Sequence, residues 1–268
     1  VLEGRGTPCP SFCPFPVAML SFDFTHTFRN DERHCNVEGM AMKRIAAPCF
    51  LLMFFVLSLF MVLSAHAEDI RLIVRGDDLG MTQGSIAAFE QSFKEGVLTC
   101  ASLLVVAPWF DAAAEMIRRN PGWCIGVHLC LIGEWQGYRW RPVLPWGKVP
   151  SLVDADGFLF PAPGELWSNK PKPDEIEAEF RAQIDLARKK GVKPQYIDLH
   201  YAANDDVEKI TRKLSKEYGL PISGTLGEKY AISVYKAPVD RKLGVALRLI
   251  DQLKPGLWLW VAHPGIES

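Results

Sequence analysis

Residues 71–80 read Arg-Leu-Ile-Val-Arg-Gly-Asp-Asp-Leu-Gly, followed by Met81 and Thr82. Arg71 to Arg75 is a short run of branched apolar residues flanked by arginines, the pattern of one strand. An acidic pair, Asp77 and Asp78, stands between Gly76 and Gly80 where that strand should end. From Thr82 to Glu95 the spacing changes. Ile86, Phe89 and Phe93 recur on one helical face, and Gly96 is the stop. A strand that delivers two carboxylates and then turns into a helix is the opening of a β-α unit.

The same alternation continues outward. Ala101 to Val106 reads as a strand, Pro108 to Arg119 as a helix ending before Asn120-Pro121, and Cys124 to Leu131 as a third strand. After a long irregular stretch, Asp174 is the expected N-cap of a helix with Ile176, Phe180, Ile184 and Ala187 inward and Gly191 as its end. Gln195 to Leu199 is a fourth strand. Asp205 to Tyr218 is a helix with Val207, Ile210 and Leu214 inward. Arg241 to Leu253 is a further helix, and Leu257 to Ala262 a last strand. Strands alternating with helices predict an α/β fold with a parallel sheet. No Gly-x-Gly-x-x-Gly or P-loop occurs, which lowers the odds of a nucleotide-binding open sheet. The expected architecture is therefore a TIM-like (β/α) barrel, distorted or C-terminally incomplete, with its chemistry where strands end.

The stretch from Gly133 to Pro173 carries Trp135, Trp140, Trp146 and Trp167 among prolines and glycines. Long loops in compact domains are usually functional or disordered, and tryptophans argue against disorder. Two readings stay open: the rings stack on the apolar faces of sugars, or they pin the loop to the core.

The first 67 residues have another character. Residues 1–41 lack periodicity, hold Cys9, Cys13 and Cys35, and read as a non-native upstream extension if the chain starts at Met40 or Met42. Residues 42–67 have the layout of a signal peptide: Lys43-Arg44, an apolar run from Ile45 to about Leu63, and small residues ending in Ala65-His66-Ala67. Cleavage after Ala67 would leave Glu68 as the mature N-terminus and send the protein to the periplasm or the extracellular space. Left uncleaved, the run is long enough for a membrane anchor. The working domain is then 68–268. It keeps Cys100, Cys124 and Cys130, an odd count inside apolar runs, which reads as buried small hydrophobes and not a disulfide framework.

The whole chain has 268 residues, 49% of them apolar, and a formal net charge of −1. This balance gives no reason to expect nucleic acid as a partner. A homo-oligomer is compatible with it.

Now consider the strand ends together. The first gives Asp77 and Asp78, the third His128, the fourth His200 in Asp198-Leu199-His200, and the last His263 in His263-Pro264-Gly265. Each feature alone is weak, since Asp pairs cap helices and strand histidines are commonly core residues. Together they place carboxylates and imidazoles on one face of the sheet. Two neighbouring carboxylates are costly to bury unless a cation is close. A divalent metal held by one Asp and two His would resolve that cost and leave open positions. One carboxylate would bind the metal and the other serve as general base, while a histidine from another strand protonates the leaving group. Mg, Zn, Mn, Co and Ni fit such a set, with Mg or Zn favoured.

The segments Gly76-Asp77-Asp78-Leu79-Gly80, Gly126-Val127-His128-Leu129, Asp198-Leu199-His200 and His263-Pro264-Gly265 resemble the YdjC family, also called ChbG/HpnK-like carbohydrate deacetylases. The resemblance runs in order from Arg71 to the C-terminus. It implies metal-dependent removal of N-acetyl groups from an acetylated carbohydrate. It further implies Asp78, His128 and His200 as metal ligands, Asp77 as base, and His263 as general acid or transition-state partner. The chain departs from the family in two places. Tyr201-Ala202-Ala203 follows His200 where many members carry more histidines, and Leu79 stands where many have Phe. Three rivals compete with this reading: a two-His-one-carboxylate Fe(II) oxygenase, a non-catalytic sugar-binding protein on the same fold, and a metal hydrolase of another amide or ester.

Overall fold

The computed structural model describes residues 18–19, 69–135, 137–201 and 203–266. The signal segment 42–67 and nearly all of the upstream extension lie outside these residues. Among the described residues no helix is long and apolar enough to cross a membrane.

Among the described residues six parallel strands form the sheet: β1 (Ile70–Leu79), β2 (Cys100–Leu103), β3 (Cys124–Leu129), β4 (Tyr196–Leu199), β5 (Lys229–Ile232) and β6 (Gly256–Ala262). Their spatial order is β4-β3-β2-β1-β6-β5. The two-residue strand Ala18–Met19 adds antiparallel to the start of β1. Among the described residues six helices accompany the sheet: α1 (Gln83–Lys94), α2 (Phe110–Arg119), α3 (Pro163–Ser168), α4 (Pro173–Lys189), α5 (Asp205–Tyr218) and α6 (Lys242–Asp251).

The sheet must be curled. In a flat sheet β1 and β4, three strands apart, would be separated by about 14 Å. Yet the β1 side chain of Asp78 lies 3.1 Å from His200, just beyond β4, and Arg75 of β1 lies 3.1 Å from Asp198 of β4. Beyond β4, Ile197 makes a parallel bridge to Ile222, in the connection between α5 and β5. The architecture is thus a parallel α/β half-barrel.

Strand alternation sorts residues onto two faces. Leu72, Val74, Ala101, Leu103, Ile125, Val127 and Ile197 join the large core under the helices. Ile73, Cys100, Cys124, Tyr196 and Leu259 make a second, smaller core on the concave side. One step further along the strands the concave positions turn polar: Arg75, Asp77, Ser102, His128, Asp198 and His200, all buried. Gly126 is obligatory there, because a Cβ would sit 2.2 Å from the Tyr196 ring. The Tyr196 hydroxyl in turn meets Ser102 Oγ at 2.9 Å.

Several sequence expectations need correction. β1 continues through the Asp pair to Leu79. Asp174 is not the N-cap of α4; Lys172 is, with Pro173 first in the helix and Asp174 in its first turn, where a carboxylate complements the helix dipole. β5 and the short α3 were not anticipated. β5 is a four-residue edge strand, too short to show a period.

The 133–173 stretch is largely pinned by α4. Glu179 accepts from the backbone N–H of Val143 and Leu144 at 2.8 and 3.0 Å, and Glu175 from Ser151 at 2.7 Å. Burial outweighs those bonds and pushes the Glu179 carboxyl up from its ordinary value. The tryptophans divide. Trp140 is buried and donates from Nε1 to the Ile132 carbonyl at 2.9 Å. Trp167 packs half-buried against the core, while Trp135 and Trp146 stay exposed.

Candidate metal centre

Adjacent residues on a strand normally point to opposite faces. Asp77 and Asp78 nevertheless both serve the concave side, because the ladder with β2 shifts register between Gly76 and Leu79. Asp78 takes φ 67°, a left-handed conformation that few non-glycine residues adopt, Asp among those that tolerate it best. Behind this bulge Gly76 leaves room for Phe89, whose ring atom would be 2.4 Å from any Cβ there.

Three donor atoms meet in front of Asp78. Its Oδ1 is 3.4 Å from His128 Nε2 and 3.1 Å from His200 Nδ1, and the two ring nitrogens are 3.2 Å apart. A tetrahedral zinc with bonds of about 2.0–2.2 Å would set its ligand atoms about 3.3–3.5 Å apart, so the triangle has the size of a cation site. Asp78 Oδ1 is buried without a hydrogen-bond partner, as a ligand atom would be. These residues could hold a metal ion. The electrostatics agree. Asp77 and Asp198 share one guanidinium, Arg75, while Asp78 and Glu134 face imidazoles, so negative charge remains uncompensated when the rings are neutral. A divalent cation would offset much of it.

Burial favours the neutral form of Asp78, but the closeness of the His128 and His200 rings outweighs it and holds the carboxyl far below the usual range. Burial likewise disfavours charged His128, yet Asp198 and Asp77 raise it well above its ordinary value. His200 is raised despite burial by Asp78 and Glu134.

Arg75 organises the layer beneath. Its Nε and Nη2 donate to the two Asp77 oxygens at 2.6 and 2.8 Å, Nη1 donates to Ser223 Oγ at 2.8 Å, and Nη2 also lies 3.1 Å from Asp198 Oδ2. Asp77, His128 and Asp198 form a second group of metal-ligand size, but the guanidinium already supplies the cation between its two carboxylates. Asp198 Oδ2 is 3.1 Å from His128 Nδ1, the ring nitrogen turned away from the triangle, and accepts from Ser102 Oγ at 3.0 Å. Burial works against the Asp198 charge, while Arg75 and His128 hold its carboxyl below the ordinary value.

His263, just past β6, reaches the rim. Its Nε2 is 3.4 Å from Asp78 Oδ2, and its side chain is 37% exposed. The Tyr235 hydroxyl contacts the His263 ring. Burial and the charges of Asp77 and Asp78 push that phenol up to about 12.

All five residues singled out from the sequence therefore converge. Sequence reasoning missed Arg75, Asp198 and Glu134, whose Oε2 lies 3.1 Å from His200 Nε2. Two of them had a signal: Arg75-x-Asp77 and Asp198-x-His200 each place a partner two residues from a site residue, on the same strand face.

A parallel α/β half-barrel with an Asp-His-His donor set at the C-terminal ends of its strands defines a class, that of proteins whose sheet rim carries side chains that could hold a metal ion. Within it the assignment is specific: the profile of the YdjC-like protein family matches residues 71–268, and the chain belongs to that family. It is 32% identical over 156 residues to a carbohydrate deacetylase of Enterococcus faecalis, covering 57% of each chain. It is 33% identical over 154 residues to a carbohydrate deacetylase of Brevibacillus brevis, covering 57% of this chain and 58% of that one. The chain thus spans less than two thirds of the length of these curated relatives. Among solved structures, an Enterococcus faecalis protein provisionally described as a cellobiose-phosphate cleavage protein superposes with a TM-score of 0.63 at 26% identity, covering 74% of this chain and 82% of that one.

Proposed function

We propose that this protein is a metal-dependent hydrolase that removes N-acetyl groups from an acetylated amino sugar or oligosaccharide. The observation that carries the reading is the Asp78-His128-His200 triangle, with Asp77 beside it and His263 across from it. The name carbohydrate deacetylase borne by its relatives supports the substrate class. Two imidazoles and one carboxylate suit zinc better than magnesium, and a divalent cation there would supply Lewis-acid polarisation of the acetyl carbonyl and lower the pKa of water.

The remaining work falls to this chain's own side chains. Asp77 takes the proton of the attacking water; each of its oxygens has a second lone pair free beyond the Arg75 bond. Arg75 keeps that carboxylate oriented. His263, on the open side of the pocket, gives a proton to the departing amine, a step worth about 10²–10⁴ in rate. Export belongs to the same proposal: cleavage after Ala67 would leave β1, which begins at Ile70, intact.

The test is acetate release from a panel of N-acetylated sugars by protein stripped with chelator and reloaded with zinc. Release that needs the metal supports the reading. Metal binding with no release from any sugar would point to another amide or ester. Trp135 and Tyr201, both exposed, are the rings available to meet a sugar.

A further inference from the structure

Both histidines of the triangle have a carboxylate behind them, but the two supports differ. Asp198 backs His128 from inside the half-barrel and is itself tied to Arg75 and Ser102. Glu134 backs His200 from the loop after β3, with a side chain 21% exposed. That loop position is firmly set. Ile132 bridges to Phe160, Gly133 N–H donates to the Phe160 carbonyl at 2.8 Å, and Trp140 Nε1 donates to the Ile132 carbonyl at 2.9 Å. The chain is thus held just before Glu134, and the carboxylate arrives at hydrogen-bond distance, 3.1 Å, from the one His200 nitrogen that faces away from Asp78.

From this geometry we infer that Glu134 is a positioning residue for the metal site: it accepts the Nε2–H of His200 and so fixes the tautomer whose Nδ1 lone pair points into the triangle. A neutral imidazole carries one N–H and one lone pair, and the partner of the N–H decides which nitrogen can ligate. His200 is the case that needs this most. Its Nδ1 lies closer to the backbone than the Nε2 that His128 presents, so a ring flip or tautomer change would remove the donor from the triangle altogether. The inference rests on the metal-site reading given above, not on the identity of the sugar.

The competing explanation is a partly exposed ion pair of little consequence. Cobalt(II) separates the two, because its absorption spectrum reports the ligand field. The chelator-stripped protein is titrated with Co(II), alongside Glu134→Ala and Glu134→Gln. Loss of such a support typically weakens metal affinity about 10- to 100-fold. Glu134→Ala should show that loss and an altered Co(II) spectrum, while its thermal midpoint in excess chelator stays that of the parent. Glu134→Gln, which still offers an oxygen to Nε2–H, should recover most of the affinity and the parent spectrum. Unchanged affinity and spectrum in Glu134→Ala would overturn the inference, as would a Gln variant as weak as the Ala variant. Failure of the parent itself to bind Co(II) would instead overturn the metal-site reading, and neither result depends on acetate release.

Discussion

Along β3 every residue from Cys124 to Leu129 is buried, whereas in β6 only Leu259 is. The contrast extends to the helices. α4 buries Ile176, Phe180, Ile184 and Ala187, while α6 buries only Ala246 and leaves Leu243 and Leu247 in solvent. The same division runs through the site. Asp78, His128 and His200 come from β1, β3 and the end of β4, in the well-packed half, and each is mostly or fully buried. His263 comes from the looser flank and is 37% exposed. On the proposed reading, the metal ligands stand on well-packed strands, and the group proposed to meet the substrate stands where solvent can enter. A preorganised site costs no rearrangement when its ligand binds.

The sharpest way to break this contrast is to remove a site residue from each half. Asp78→Ala or His128→Ala should abolish metal binding and, with it, acetate release, as read by metal content after dialysis and by acetate assay. His263→Ala should lower kcat by about 10²–10⁴ and leave metal affinity as it was. If metal affinity fell equally in His263→Ala, the flank would have to be counted as part of the ligand cage.

The next test compares stability. Leu103→Ala, in the fully buried floor of the packed half, should cost about 2–5 kcal/mol. Leu247→Ala, exposed on α6, should stay within about 0.5 kcal/mol. Denaturant midpoints decide both, and similar losses at the two positions would erase the distinction.

The smallest effect concerns acid. Asp78 and Asp198 both titrate below the ordinary range in the folded chain, against the opposing pull of burial. A folded pKa below the unfolded one means that their stabilisation is complete above the unfolded value, about pH 4, and is lost as pH falls through the folded values. Asp198→Asn should therefore flatten the acid limb of the stability profile of chelator-treated protein. A limb as steep as the parent's would show that Asp198 does not carry that stabilisation.

The division between the halves also marks what could be read from sequence. The strands of the packed half announce themselves through continuous apolar runs, as in Cys124-Ile-Gly-Val127, and the site residues stand at their ends. β5 did not, since Lys229–Ile232 is four residues at an edge. Resemblance suggests separate roles for Asp77 and Asp78, but the reason both face inward was not legible, because the bulge at Gly76–Leu79 is a property of the ladder with β2. The Arg75 clamp was hidden for a different reason. An arginine in a strand reads as an exposed edge residue, and only the curl of the sheet brings it to Asp198. Glu134 lies in a loop whose position depends on Phe160 and Trp140, contacts that no local pattern encodes.

The Asp77→Asn variant puts the central claim to its most direct test, with metal stoichiometry and acetate release measured on the same sample. The geometry predicts one equivalent of metal bound with near-parent affinity and no acetate released, because the triangle of Asp78, His128 and His200 survives while the proton acceptor is gone. Acetate release at the parent rate would contradict the assignment of Asp77, and loss of the metal would contradict the separation of the two aspartates into base and ligand.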